Sequence, residues 1–251
     1  MTTATLAAIV LIGGFIALML MRVPVSFAML LSTLGCALVT GTNFSVLVRQ
    51  MVDGANNFSL LSIPFFILMG EIMGAGGISD KIIDLANLAV GRFRGGLAYV
   101  NCLSSMFFGG ISGSAVADVS SLGSVVIPMM VKQGYDEDFS VGLTVTTACQ
   151  GVLIPPSHNM VIYALAAGGV SIGTLFMAGL LPGIALGCGM IIMCMMMAKR
   201  YNFPKGEGVA KGEGIKILLR GILPMMTLLI IMVGTGAGVF TATESSAIAV
   251  V

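Results

Sequence analysis

Gly109-Gly110-Ile111-Ser112-Gly113-Ser114-Ala115-Val116-Ala117-Asp118 interrupts an otherwise apolar segment that runs from Gly96 to Val131. Hydrocarbon has no partner for freed backbone N–H and C=O groups, and each one left unsatisfied costs several kcal/mol. A break of this kind has to line a polar or watery cavity, so it is a candidate site and not a loop. The segment is either one very long span or two arms that enter and leave by the same face. Its second arm, Ala115 to Val131, covers about 25 Å at ~1.5 Å per residue, and its first, Leu97 to Phe108, about 18 Å. Neither comfortably crosses a core of ~30 Å.

The surrounding chain is that of a membrane protein. Of 251 residues 57% are hydrophobic and 9% charged, and the apolar stretches recur from end to end, so the expected fold is an all-α polytopic one. A net charge of +1 points to no nucleic acid. Residues 1–21 lack a basic leader and a cleavage site and read as a retained first span. The five cysteines and 20 methionines fall in apolar runs without a C-x-x-C pair and read as packing residues, not disulfides or metal ligands.

Working outward, residues 4–75 supply three helices, Ala4 to Met21, Val25 to Thr40 and Leu60 to Ala75, with a more polar stretch from Gly41 to Asn57. Residues 76–95 carry charges between helically spaced apolar positions and should lie along the interface. After the segment 96–131 comes 139–167, interrupted by Gln150-Gly151-Val152-Leu153-Ile154-Pro155-Pro156-Ser157-His158-Asn159, where paired prolines force the helix to unwind. A Met-rich span (171–198), a polar cytoplasmic linker (201–216) and a further span from Ile217 follow. Thr241-Ala242-Thr243-Glu244 reads as a helix cap. The helix it announces has no room before Val251, so the chain reads as a fragment.

Charge decides the parity. With the N-terminus outside and a hairpin at 96–131, every basic residue except Arg49 falls on the cytoplasmic side; a single crossing there would turn the six from Lys199 to Arg220 outward. The positive-inside rule favours the hairpin. Five crossings then precede the linker, so a second copy of residues 1–200, beginning within 217–251, would be inverted. Inverted repeats with a re-entrant hairpin and a Pro-broken helix are the architecture of ion-driven transporters.

The oxygens on offer suit a small hard cation: hydroxyls of Ser112 and Ser114, and carbonyls of Gly110, Gly113, Gly151 and Ile154. Asp118 is either a compensating charge or the ordinary acid of a helix N-terminus. Gly110, Gly113 and Gly123 also fit a plainer reading as close-packing positions between helices. Glu71 reads as an interfacial acid, and His158 as structural, a proton carrier or a substrate contact. One ion moving inward down 100 mV releases about 2.3 kcal/mol, enough to drive uptake of a solute. A different class also fits part of the pattern: Gly110-Ile111-Ser112-Gly113 matches the G-x-S-G motif of rhomboid-like intramembrane serine proteases, with Ser112 and His158 as the dyad.

Three runs together carry a resemblance. Ile63-Pro64-Phe65-Phe66-Ile67-Leu68-Met69-Gly70-Glu71, the tip Gly110 to Asp118, and Ile154-Pro155-Pro156-Ser157 through Tyr163 look like the large membrane subunit of TRAP (tripartite ATP-independent periplasmic) transporters, the DctM type. The family's T-P-T-E motif reads Thr241-Ala242-Thr243-Glu244 here, without its proline. The resemblance implies an elevator-type permease in a bacterial inner membrane, with no cofactor and Na+ as coupling ion. It further implies a small four-helix membrane subunit, a periplasmic solute-binding protein and an organic acid such as a C4-dicarboxylate or sialic acid as substrate. Carried over by motif, the resemblance implies a first cation site of Ser112, Gly113 and Ser114 with Gly151 and Pro155 to Ser157, and most of the substrate pocket in the missing second repeat; Pro156, Ser157, His158 and Asn159 are the candidates for substrate contact in this chain. A free-standing sodium/carboxylate symporter would share the architecture without the partners.

Overall fold

The computed structural model describes residues 3–206, 208–209 and 212–250; Glu207 and Lys211 of the polar linker, and the last residue, Val251, lie outside them. The chain divides into two compact units, residues 1–57 and 58–251. All named elements are helical. In the first unit, α1 (Thr3–Leu20) and α2 (Val25–Thr40) are joined by a short turn. They pack antiparallel through small residues: a Cβ on Gly35 would meet Val10 at 3.3 Å and one on Gly14 would meet Ser32 at 3.8 Å. The stretch from Gly41 to Asn57, marked by composition only as more polar, holds a third helix, α3 (Phe44–Ala55), capped by the Asn43 side chain, which accepts from Ser45 N at 3.1 Å. Phe44, Leu47, Val48, Met51 and Val52 recur at helical spacing, and Arg49 pairs with Asp53 at 3.8 Å. That periodicity outweighs the modest polarity.

The second unit opens with a 3-10 turn (Phe58–Leu61) and continues through α4 (Ser62–Ala75), α5 (Ile78–Val90), α6 (Gly96–Ser112), α7 (Ala115–Lys132), α8 (Glu137–Gly151), α9 (His158–Ala167), α10 (Ile172–Arg200), α11 (Gly214–Gly236) and α12 (Ala242–Val250). Among the described residues four helical stretches are long and apolar enough to cross a membrane, Thr3–Leu20, Phe58–Ala75, Ala115–Lys132 and Ile172–Arg200, and a bent pair, Gly214–Ile222 with Pro224–Gly236 at 42°, makes a fifth.

α6 and α7 form an antiparallel hairpin closed by Gly113 and Ser114 alone. Asn101, in the second turn of α6, reaches Met130 Sδ near the end of α7 at 3.7 Å and donates to Thr144 Oγ1 of α8 at 2.7 Å. The arms are longer than the residues suggested. α6 does not stop at Phe108 but runs through Gly109 and Gly110 to Ser112, giving arms of 17 and 18 residues, about 25 and 27 Å. Two glycines cost roughly 1 kcal/mol each inside a helix; close packing, described below, offsets that here.

α10 aligns the rest. Cβ atoms placed on Gly179, Gly183 and Gly187 would fall 2.8 Å from Leu153 O, 2.6 Å from Ile154 Cγ1 and 3.0 Å from Gln150 Oε1 in turn. α8, the break at 152–157 and α9 therefore lie along α10 as one interrupted rod running the opposite way. The glycine ridge, every fourth residue, is the small-x-x-x-small pattern that lets membrane helices approach. Reading α10 as Met-rich overlooked it.

Two further readings change. Thr241 does cap a helix, its N–H and hydroxyl both donating to Glu244 Oε2 (2.8 and 2.9 Å) while its Oγ1 accepts from Glu244 N at 3.3 Å. That helix, α12, does exist, with nine residues, because the reciprocal capping box supplies its first turn. The start of the linker is docked: Gly95 N donates to Pro204 O (2.9 Å), Gly206 N to Phe93 O (3.2 Å), and buried Phe203 packs tilted against Tyr135 and Phe139, 4.9 Å from each ring. Burial pushes the Tyr135 hydroxyl, in the turn between α7 and α8, up to about 12.

Candidate functional site

The turn of the hairpin is made by two residues with different jobs. Gly113 takes the left-handed conformation (φ 61°) and donates its N–H to Gly109 O at 2.7 Å, ending α6. Ser114 is extended and starts α7, its hydroxyl accepting from Ala117 N at 3.3 Å. Between them the Ser112 hydroxyl turns to the Ser114 backbone, 3.4 Å from both its N and its O.

This turn sits directly on the break between α8 and α9. A Cβ on Gly113 would lie 2.8 Å from Ser157 Cα, 3.0 Å from Pro156 O and 3.1 Å from His158 N, and one on Gly110 would lie 3.3 Å from Pro155 O. Asn159 Nδ2 donates to Gly113 O at 3.5 Å, and the His158 ring rests against the Ser112 backbone. The Pro155–Pro156 peptide is cis. Gly110, Ser112, Gly113, Ser114, Pro155, Pro156, Ser157, His158 and Asn159 are thus brought together, with α4 alongside, where a Cβ on Gly70 would lie 3.4 Å from Ser112 Cα.

A cavity of about 520 Å³ opens at this junction, lined by Gly70, Glu71, Ser112, Ser114, Ser120 and His158 among others. Glu71, read from the sequence as an interfacial acid, is exposed and lines this cavity beside Ser112 and Ser114. Its place directly after Gly70, which packs on Ser112, is the one signal the sequence carries. His158 Nδ1 and Ser157 Oγ are buried without a hydrogen-bond partner.

Of the expected ion ligands Ser112 and Ser114 line the cavity, Gly110, Gly113 and Pro155 lie in the junction of turn and break, and the other three sit elsewhere. Gly151 is in backbone contact with Gly109, each occupying the space where a Cβ on the other would go (2.1 and 2.6 Å). Ile154 is buried, its side chain wedged between Gly110 and Gly183. Asp118 is fully buried and points into the hairpin, near Ser105, with neither carboxylate oxygen hydrogen-bonded; Ser114 holds the capping position that a first-turn acid would otherwise share. From Ser105 a line of buried polar side chains, Ser105–Thr147 and Asn101–Thr144 among them, runs between α6 and α8 away from the turn. Among the described residues no three His, Cys, Asp or Glu side chains group as a metal site. What the junction offers is hydroxyl and carbonyl oxygen, the chemistry of a hard monovalent cation that binds and leaves.

Residues 12–251 match the family model of the DctM component of tripartite ATP-independent periplasmic transporters. The chain belongs to the DctM family. DctM relatives include YgiK of Salmonella typhimurium, 39% identical over 246 residues, 97% of this chain and 57% of that protein. The sialic acid TRAP transporter large permease protein SiaM of Vibrio cholerae is 36% identical over 240 residues (94% and 56%). The 2,3-diketo-L-gulonate TRAP transporter large permease protein YiaN of Escherichia coli is 35% identical over 247 residues (97% and 57%). The chain spans a little over half the length of these curated relatives. Like its family it carries several apolar helices long enough to cross a membrane.

Proposed function

We propose that this DctM chain is part of the large permease subunit of a sodium-driven secondary transporter that imports an organic acid. A periplasmic binding protein delivers the acid, and a small four-helix membrane subunit completes the permease. The observation that carries this reading is the seating of the hairpin turn 112–114 on the Pro155–Pro156 break. Two helix interruptions facing one another concentrate unpaired backbone oxygens and helix termini at one point, which is how secondary transporters hold ions within a membrane. The cation is assigned to Ser112, Gly113, Ser114 and the Pro155 carbonyl, and the substrate to the cavity that His158 lines, with Pro156, Ser157 and Asn159 next to it in the break. Gly109 and Gly151, packed backbone to backbone, keep the two interruptions in register. The N-terminus is periplasmic, the hairpin opens to the cytoplasm and is re-entrant, and the site-bearing part moves as an elevator against a scaffold, with residues 1–200 as the first of two inverted repeats.

Family membership and the turning of the Ser112 hydroxyl to Ser114 favour this over a Ser112–His158 protease. The test is uptake into proteoliposomes by the complete permease with its binding protein. Replacing external Na+ by K+ at fixed pH gradient and potential should abolish accumulation, and Ser112→Ala or Ser114→Ala should raise the Na+ concentration for half-maximal uptake. Full uptake without Na+, or unchanged Na+ activation in both variants, overturns the assignment.

A further inference from the structure

A second cavity lies away from the transport site, where the end of α10 meets the turn before α6. It encloses about 530 Å³, a volume typical of small-ligand sites. Its apolar wall is Phe93, Ile192, Met195 and Met196, all at least half-exposed or nearly so (49, 55, 50 and 63%). Its rim is Arg94 and Lys199. Ile192, Met195, Met196 and Lys199 follow one another at the spacing of a single helix face, so the stripe descends from a cation into hydrocarbon depth over about 10 Å.

The rim is built, not incidental. The backbone pairing of Arg94 with Lys205 draws residues 201–206 onto the turn, and Arg94 donates from Nε to Phe203 O at 3.1 Å and from Nη2 to Asn202 Oδ1. Both acceptors are neutral, and the guanidinium carries five donors, so its charge and its remaining N–H groups stay available. Exposed Arg92, Arg200 and Lys205 stand nearby, and among the described residues none of these cations is within ion-pair distance of a carboxylate; the one ion pair is Arg49 with Asp53. An anionic head above an apolar tail is the complement of such a surface at a bilayer interface.

We infer that this groove binds one anionic phospholipid, the phosphate on Arg94 and Lys199 and an acyl chain along Ile192, Met195 and Met196. The inference rests on the membrane placement proposed above and not on the cation site. The complete permease, purified in neutral detergent, is titrated with phosphatidylglycerol, phosphatidylcholine or inorganic phosphate and bound lipid is counted by native mass spectrometry. Phosphatidylglycerol should be retained in preference to phosphatidylcholine, and inorganic phosphate should not displace it. Lys199→Gln should lower phosphatidylglycerol affinity about fivefold, the scale of one basic residue at an anionic surface. Met196→Glu, which leaves the rim intact, should lower it further, while Lys216→Gln, a basic residue outside the groove, should leave it unchanged. Equal retention of phosphatidylcholine, displacement by phosphate, wild-type affinity in both groove variants, or an equal loss in Lys216→Gln overturns the inference. Sidedness is read separately, from cysteines placed at 132 and 170: should they label from the reversed sides, it is the placement that fails.

Discussion

Gly109 and Gly151 show what a single residue decides here. Each is helical, so neither is chosen for a left-handed backbone; each is glycine because the other's main chain occupies the space a Cβ would need. Gly109→Ala should therefore destabilise the protein by about 1–3 kcal/mol, the usual cost of overpacking, and lower its melting temperature in detergent. Gly142 in α8 meets nothing within 4 Å, and Gly142→Ala should be neutral or stabilising by up to about 1 kcal/mol. Equal effects of the two substitutions would contradict the contact. The glycine-rich character of the 109–113 run was plain in the sequence. Which glycines make the turn was not: Gly113 turns the chain, whereas Gly109 and Gly110 continue the helix against α8, the break and Leu228.

At the scale of elements, the hairpin and the broken rod are both held by α10, and the contacts follow one order along it. Cys194 Sγ lies 3.9 Å from Cys102 Sγ of α6, and Gly187 lies against Met106 one turn further along α6, so α6 also runs antiparallel to α10. Mild oxidation of the permease should join Cys102 to Cys194, so that cleavage in the 168–171 turn, which lies between them in the chain, no longer lowers the apparent mass until a reductant is added. Cys102→Ser should abolish the effect; a cross-link that survives it would mean a different pairing. Periodicity located α5, α8 and α9 because their apolar spacing and prolines are local signals. It placed the end of α6 four residues early, because propensity counts glycine against a helix whereas the packed structure rewards it.

For the whole molecule, the charge distribution makes the sharpest statement. On the topology proposed above, the hairpin returns the chain to the side it left, and Lys132 and Arg200 share the cytoplasmic face with Arg94. Cysteines introduced at Lys132 and Val170 should label from opposite sides of the membrane, Lys132→Cys from the cytoplasm and Val170→Cys from the periplasm. Labelling of both from one side would break the topology. The sequence alone determined that the chain is helical and membrane-bound, that two interruptions exist, and which family motifs they carry, because hydropathy, proline and glycine act on the residues beside them. Only the tertiary structure decided that the Gly113 turn rests on Pro156 and Ser157, that Glu71 faces the same cavity, and that Asp118 is withdrawn into the hairpin. Those facts depend on side chains and backbones tens of residues apart reaching van der Waals contact, which no local pattern encodes.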